Sequence, residues 1–132
     1  MADSFNFELV SPEQLLLSEA VSQVIIPGTD GEMTVMAHHA PTMTTIKPGI
    51  VSVTTDSGEN QRYVVFGGFA DILLDGCTLL AESAVRVEDI DNEALKQRIQ
   101  DTREDLADAK TDADKTRIAE HLDHLETLQN AV

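Results

Sequence analysis

The chain has a single cysteine, Cys77, among 132 residues, so no internal disulfide can form and its cysteine usage fits a reducing compartment. Basic residues are also scarce: 9 Lys and Arg stand against 24 Asp and Glu, a formal net charge of -15. Such a surplus of carboxylates repels phosphate backbones and anionic lipid, which argues against nucleic acid as a partner. No apolar run approaches the roughly 20 residues of a membrane helix, so direct membrane insertion is not expected. The start, MADSFNFELV, has acidic residues but no Lys or Arg, the wrong charge order for a secretory signal. There is no Ser-centred nucleophile elbow and no His-Glu-x-x-His pattern. Carboxylate pairs are too common in so acidic a chain to signal acid-base catalysis. These absences disfavour an enzyme.

A chain of this length makes one small domain, or a small domain with an appendage. It buries roughly two-thirds of its unfolded surface and needs no metal or disulfide staple. Gly and Pro recur at short intervals up to about Val87 and are absent after Glu88, which divides the chain into residues 1–87 and 88–132. In the first part Phe5, Phe7 and Leu9 alternate with Asn6, Glu8 and Val10, the period of a half-buried strand. Further strands are expected at 15–17, 22–26, 32–36, 43–46, 50–55, 61–66, 70–74 and 78–82. Between them lie the turn formers Pro27-Gly28, Pro48-Gly49, Asp56-Ser57-Gly58 and Asp75-Gly76, the last being the strongest hairpin signal. Short strands at this spacing read as an antiparallel sandwich or barrel. After residue 88 the period changes: Leu95, Ile99, Thr102, Leu106 and Ala109, then Ile118, Leu122, Leu125 and Leu128, step by three and four. They predict two amphipathic helices, the first capped by Asp91, broken at Thr111-Asp112-Ala113-Asp114 into an antiparallel hairpin with a narrow apolar stripe.

His38 and His39 invite a metal or catalytic reading, but neighbours on an extended chain point to opposite sides and no third ligand has a matching spacing. His121 and His124, one helical turn apart between Glu120 and Asp123, read as a solvated polar face. Cys77 reads as a small inert core or edge residue. The stretch Pro27 to Gly31 lacks the Lys and the following helix of a phosphate loop and reads as a surface loop between strands. No metal and no cofactor is expected. The residues alone describe an acidic sandwich with a helical appendage, suited to protein binding or regulation.

Several segments, in order, resemble the epsilon subunit family of bacterial F-type ATP synthase, equivalent to the mitochondrial delta subunit. They are Glu8-Leu9-Val10-Ser11-Pro12-Glu13, Pro27-Gly28-Thr29-Asp30-Gly31-Glu32-Met33, His39-Ala40-Pro41, Ile46-Lys47-Pro48-Gly49, Val64-Val65-Phe66-Gly67-Gly68-Phe69-Ala70 and Leu79-Leu80-Ala81-Glu82-Ser83-Ala84. The resemblance implies a β-sandwich of about ten strands, followed by the hairpin, at the foot of the central stalk. The subunit would be non-catalytic and peripheral, on the cytoplasmic face of the bacterial inner membrane, coupling rotation of the c ring through gamma to ATP synthesis. It implies that Gly28, Thr29, Asp30, Gly31, Glu32 and Met33 face the c-subunit ring and that His39, Ala40 and Pro41 lie by the gamma subunit. Gly67 and Gly68 would allow close approach or a bulge. The hairpin would reach the alpha and beta subunits. Many relatives carry Ile or Leu, Asp, two variable residues, Arg and Ala at the start of the first helix, a pattern that helps bind ATP. Here Ile90 and Asp91 fit, but Ala94 stands where the Arg belongs. From Asp114 onward Lys115 and Arg117 face Asp114, Glu120, Asp123 and Glu126, a local acidic surplus where inhibitory relatives are basic. Weak or absent ATP binding and at most weak regulation of hydrolysis are therefore expected. The competing readings are an acidic adaptor unrelated to ATP synthesis and a small metal-dependent enzyme built on His38 or His39.

Overall fold

A computed structural model describes residues 4–132. The chain divides into two compact units, Met1–Val87 and Glu88–Val132. The first holds nine strands: β1 (Phe5–Val10), β2 (Leu15–Gly28), β3 (Gly31–Met36), β4 (Thr42–Ile46), β5 (Gly49–Thr55), β6 (Asn60–Val65), β7 (Gly68–Ile72), β8 (Gly76–Ala81) and β9 (Ala84–Arg86). A 3-10 turn at Val87–Asp89 follows, then the helices α1 (Asn92–Asp108) and α2 (Asp112–Ala131). The described residues thus hold nine strands, against the expected ten or so. Two expected strands, 15–17 and 22–26, are one strand of 14 residues, and β9 is an addition.

Length gives β2 its role. Its first half pairs antiparallel with β1, from Phe5↔Val21 to Val10↔Leu15. Beyond Val21 it pairs with β3 on one edge and β5 on the other, and Gly28 meets Ile46 of β4. The pairings β1-β8-β7-β4-β2 therefore return to their start through β2 and β1, and β5-β6-β9 continue from β2. Among the described residues only β1 and β8 pair in parallel. Alternation, reset in β2 by an irregularity between Val21 and Gln23, sends Phe7, Leu9, Val21, Val24, Ile26, Val51, Val53, Ile72 and Leu79 inward, each 0% exposed. Burial of each such side chain contributes roughly 1.5–3 kcal/mol before entropy is counted.

The hairpin signal at Asp75-Gly76 does join two strands, with its turn one residue earlier. The Leu73 N–H donates to the Gly76 carbonyl at 2.8 Å, so Leu74 and Asp75 form the tip and Gly76 already belongs to β8.

The second unit is a helical hairpin. The Asp91 carboxylate accepts from the backbone N–H groups of Glu93 and Ala94 at 3.0 and 3.1 Å, and the Thr111 hydroxyl accepts from Asp114 N–H at 3.1 Å. These caps satisfy donors that a helix start leaves open. Leu95, Ile99 and Thr102 of α1 and Leu125 and Leu128 of α2 are buried, whereas Leu106, Ala109, Ile118 and Leu122, nearer the connection, are half-buried. The Arg103 guanidinium reaches the Glu126 carboxylate at 3.2 Å across the two helices.

Candidate functional site

The stretch from Gly28 to Met33 is a tight hairpin. Gly28 pairs with Gly31 across the two residues Thr29 and Asp30. Gly31 takes φ +131°, a conformation other residues reach only with strain, and this lets β3 leave the turn in register. Thr29, Asp30, Gly31 and Glu32 are exposed, whereas Gly28 is buried and Met33 packs on the core. The tip is not loose: Thr29 N–H donates to the Thr45 carbonyl at 3.1 Å, and the two threonine hydroxyls lie 2.7 Å apart. Two carboxylates, Asp30 and Glu32, are thus held out on a fixed turn.

The stretch His39 to Pro41 lies between β3 and β4. His38, at φ +65°, donates its N–H to the Leu74 carbonyl at 3.2 Å, fastening this loop to the β7–β8 turn. The His39 Nδ1 lies 2.8 Å from the Ala40 carbonyl, which also accepts from the Thr42 hydroxyl at 2.9 Å. A carbonyl only accepts, so Nδ1 carries the proton. Ala40 and Pro41 are exposed. Among the described residues, no three of His, Cys, Asp or Glu converge as metal ligands. The Cys77 thiol is pushed up to about 12 by burial and, secondarily, by the Asp71 charge, so at neutral pH it is no nucleophile.

These two stretches sit at the two ends of β4, which begins directly after Pro41 and carries Thr45 against Thr29. A strand of five residues separates them by about 14 Å.

Between them lies a surface that the sequence reading did not identify. The registers of β2, β1, β8, β7 and β4 align Leu15, Val10, Leu80, Phe69 and Thr45 in one outward row, and Ser18, Glu8, Thr78, Asp71 and Met43 in the next. Leu15 is 58% exposed, Met43 68%, Phe69 41% and Leu80 38%. Val10, Pro12, Phe69 and Leu80 help line an open cavity of about 550 Å³. The signal was present as apolar doublets: neighbours on a strand face opposite sides, so Leu9-Val10 and Leu79-Leu80 each put one apolar side chain outward.

In the helical unit, Ile90 is half-buried and the Asp91 carboxylate is engaged as the cap of α1. A polar groove of about 340 Å³ has Lys96, Gln100, Arg103 and Gln129 in its wall. Lys96 pairs with Glu93 at 3.7 Å and Arg103 with Glu126 at 3.2 Å, so both cations already face carboxylates.

Residues 4–87 match the family model of the ATP synthase delta/epsilon chain β-sandwich domain. The ATP synthase epsilon chain of Mesorhizobium japonicum is 62% identical over all 132 residues, covering 98% of that protein, and that of Rhizobium etli CIAT 652 is 61% identical over the same extent. The chain belongs to the ATP synthase delta/epsilon family. Its epsilon members are non-catalytic stalk subunits, and the chain is of that kind. A chain of the Euglena gracilis mitochondrial ATP synthase, from an OSCP/F1/c-ring structure, superposes with a TM-score of 0.77 at 28% identity, over 97% of this chain and 81% of that one. A chain from the central stalk and c-ring of the Tetrahymena thermophila mitochondrial enzyme superposes at 0.67 with 12% identity, a likeness of fold, over 98% and 96%. No helix among the described residues is long and apolar enough to cross a membrane.

Proposed function

We propose that the chain is a rotor subunit of the central stalk. In this reading it couples proton-driven rotation of the c ring, through gamma, to ATP synthesis in the catalytic head. It does so as a peripheral subunit on the cytoplasmic face of the bacterial inner membrane. The observation that carries this reading is the frame built on β4. One end holds the turn with Asp30 and Glu32, the other holds His39, Ala40 and Pro41, and an exposed apolar sheet face lies between. A part that transmits torque must grip two partners through one stiff body, and hydrogen-bonded strands supply that stiffness. The Gly28–Met33 turn faces the polar loops of the c ring. The His39–Pro41 loop and the outer rows of β2, β1, β8, β7 and β4 face gamma.

The hairpin regulates hydrolysis weakly in this reading, although it reaches alpha and beta. Asp91 is engaged as a helix cap, Ala94 stands in place of the Arg, and the cations of the polar groove already face carboxylates. Like charge near acidic segments of the head opposes insertion of α2.

The test is Glu32→Lys in inverted membrane vesicles, with proton pumping measured per ATP hydrolysed. The reading expects lower pumping, unchanged assembly and an unchanged melting temperature. Glu32→Ala is expected to be nearly silent, because an exposed charge contributes below ~1 kcal/mol. Wild-type pumping in Glu32→Lys would count against the c-ring contact.

A further inference from the structure

Resting on the reading that the outer face of β2, β1, β8, β7 and β4 meets gamma, we propose that gamma meets it with two basic side chains about 10 Å apart, one seated on Glu8 and one on Asp71. Both carboxylates are half-buried and lie on the outward side of their strands. Both stand in register with Thr78, Glu8 across β1–β8 and Asp71 across β7–β8. Two strand spacings therefore separate them, which sets the distance at about 10 Å. Ser18 and Thr78 share their row, but the flanks are apolar: Val10, Leu80 and Phe69 form the neighbouring row, Met43 pairs with Asp71, and the exposed Leu73 follows two residues on.

An apolar partner that covered this face would take both carboxylates out of water, which is costly unless each gains a counter-charge and hydrogen bonds. No described residue of the sandwich provides one. Its basic residues are Lys47, Arg62 and Arg86, and among the described residues no ion pair joins any of them to Glu8 or Asp71. Arg62 and Arg86 lie on β6 and β9, which pair with none of these five strands. The counter-charges must come from the partner. A second copy of this chain is a poor occupant, since a two-fold contact would set carboxylate against carboxylate. An anionic lipid surface is excluded by sign. The occupant is an apolar protein surface carrying two Lys or Arg side chains, whose pairing with Glu8 and Asp71 fixes the register in which the apolar rows dock.

The experiment uses the full chain and the catalytic complex stripped of it, with affinity measured at about 50 and about 500 mM salt. The double variant Glu8→Gln/Asp71→Asn keeps shape and removes charge, and Leu80→Asp spoils the apolar row. The proposal expects the double variant to bind roughly tenfold more weakly at low salt, with the gap mostly gone at high salt, and Asp71→Lys to bind more weakly than Asp71→Asn. If Leu80→Asp weakens binding but the double variant keeps wild-type affinity and salt dependence, the charge pairing is wrong and the gamma face stands. If Leu80→Asp binds as wild type does, the face is not the contact and both readings fall.

Discussion

At Gly68 a single hydrogen atom in place of a methyl group lets two strands meet. A Cβ there would overlap the Leu80 carbonyl oxygen and come within 2.9 Å of the Ala81 Cα, and the backbone already has φ +133°. Gly31 also has positive φ, but a Cβ there meets nothing within 4 Å. The two sites separate packing from backbone strain. Gly31→Ala is expected to cost about 1–2 kcal/mol and Gly68→Ala roughly 3–5 kcal/mol, read from urea unfolding midpoints. Equal losses would mean that the approach of β7 to β8 carries no cost of its own. The paired glycines could be read in the sequence as a close approach or a bulge. What they approach could not, because Leu80 belongs to another strand. Cys77 provides a second residue-scale test. Its thiol rises from 9.0 to about 12 on folding, so the folded state favours the protonated form. Its contribution to stability is full below pH 9 and is lost as pH climbs from there toward 12. Alkaline loss of stability between pH 9 and 11 should be smaller in Cys77→Ala. At pH 8 the native thiol should resist a thiol reagent until urea unfolds the chain. Rapid labelling of native protein would contradict its burial.

The elements differ in how well their sequences announce them. The two helices were legible, because apolar steps of three and four persist over several turns and Asp91 and Thr111 mark their starts. β2 was not: Ser18, Glu19 and Ala20 interrupt its apolar run, and Pro27-Gly28 reads as a turn, although both residues still pair with β3. The polar interruption belongs to a strand half that pairs only with β1, where one side faces water and the alternation is irregular. β9 has three residues, too few to show any period. The turn after β7 was legible at Asp75-Gly76 but displaced by one residue, because its tip is Leu74-Asp75 and an apolar residue seldom forms a turn tip. Since the strands carry the large apolar side chains, a fragment of residues 1–87 is expected to be soluble and to unfold in one cooperative transition. Calorimetry of that fragment is the check, and a broad transition without a heat-capacity peak would show that the strands need the helices.

For the whole molecule, acidity and the missing Arg at position 94 set the expected regulation. Mg-ATP titrated into the purified chain should give no micromolar binding, and deletion of the residues after Asp91 should raise hydrolysis by the assembled complex only slightly. A several-fold rise would overturn the view that the hairpin is a weak regulator. The candidate contact stretches, residues 28–33 and 39–41, were named through resemblance alone, without coordinates. Their placement at two ends of one strand was not legible, and neither was the apolar face between them, because register is a property of strand pairs and not of segments. The central claim is that one stiff sandwich holds two rotor partners. It is tested most directly by placing a photoreactive side chain at Glu32 or at Phe69 and irradiating the intact synthase in its membrane. The account predicts an adduct with the c subunit from position 32 and with gamma from position 69, while the same two positions exchanged, or no adduct with either subunit, would contradict it.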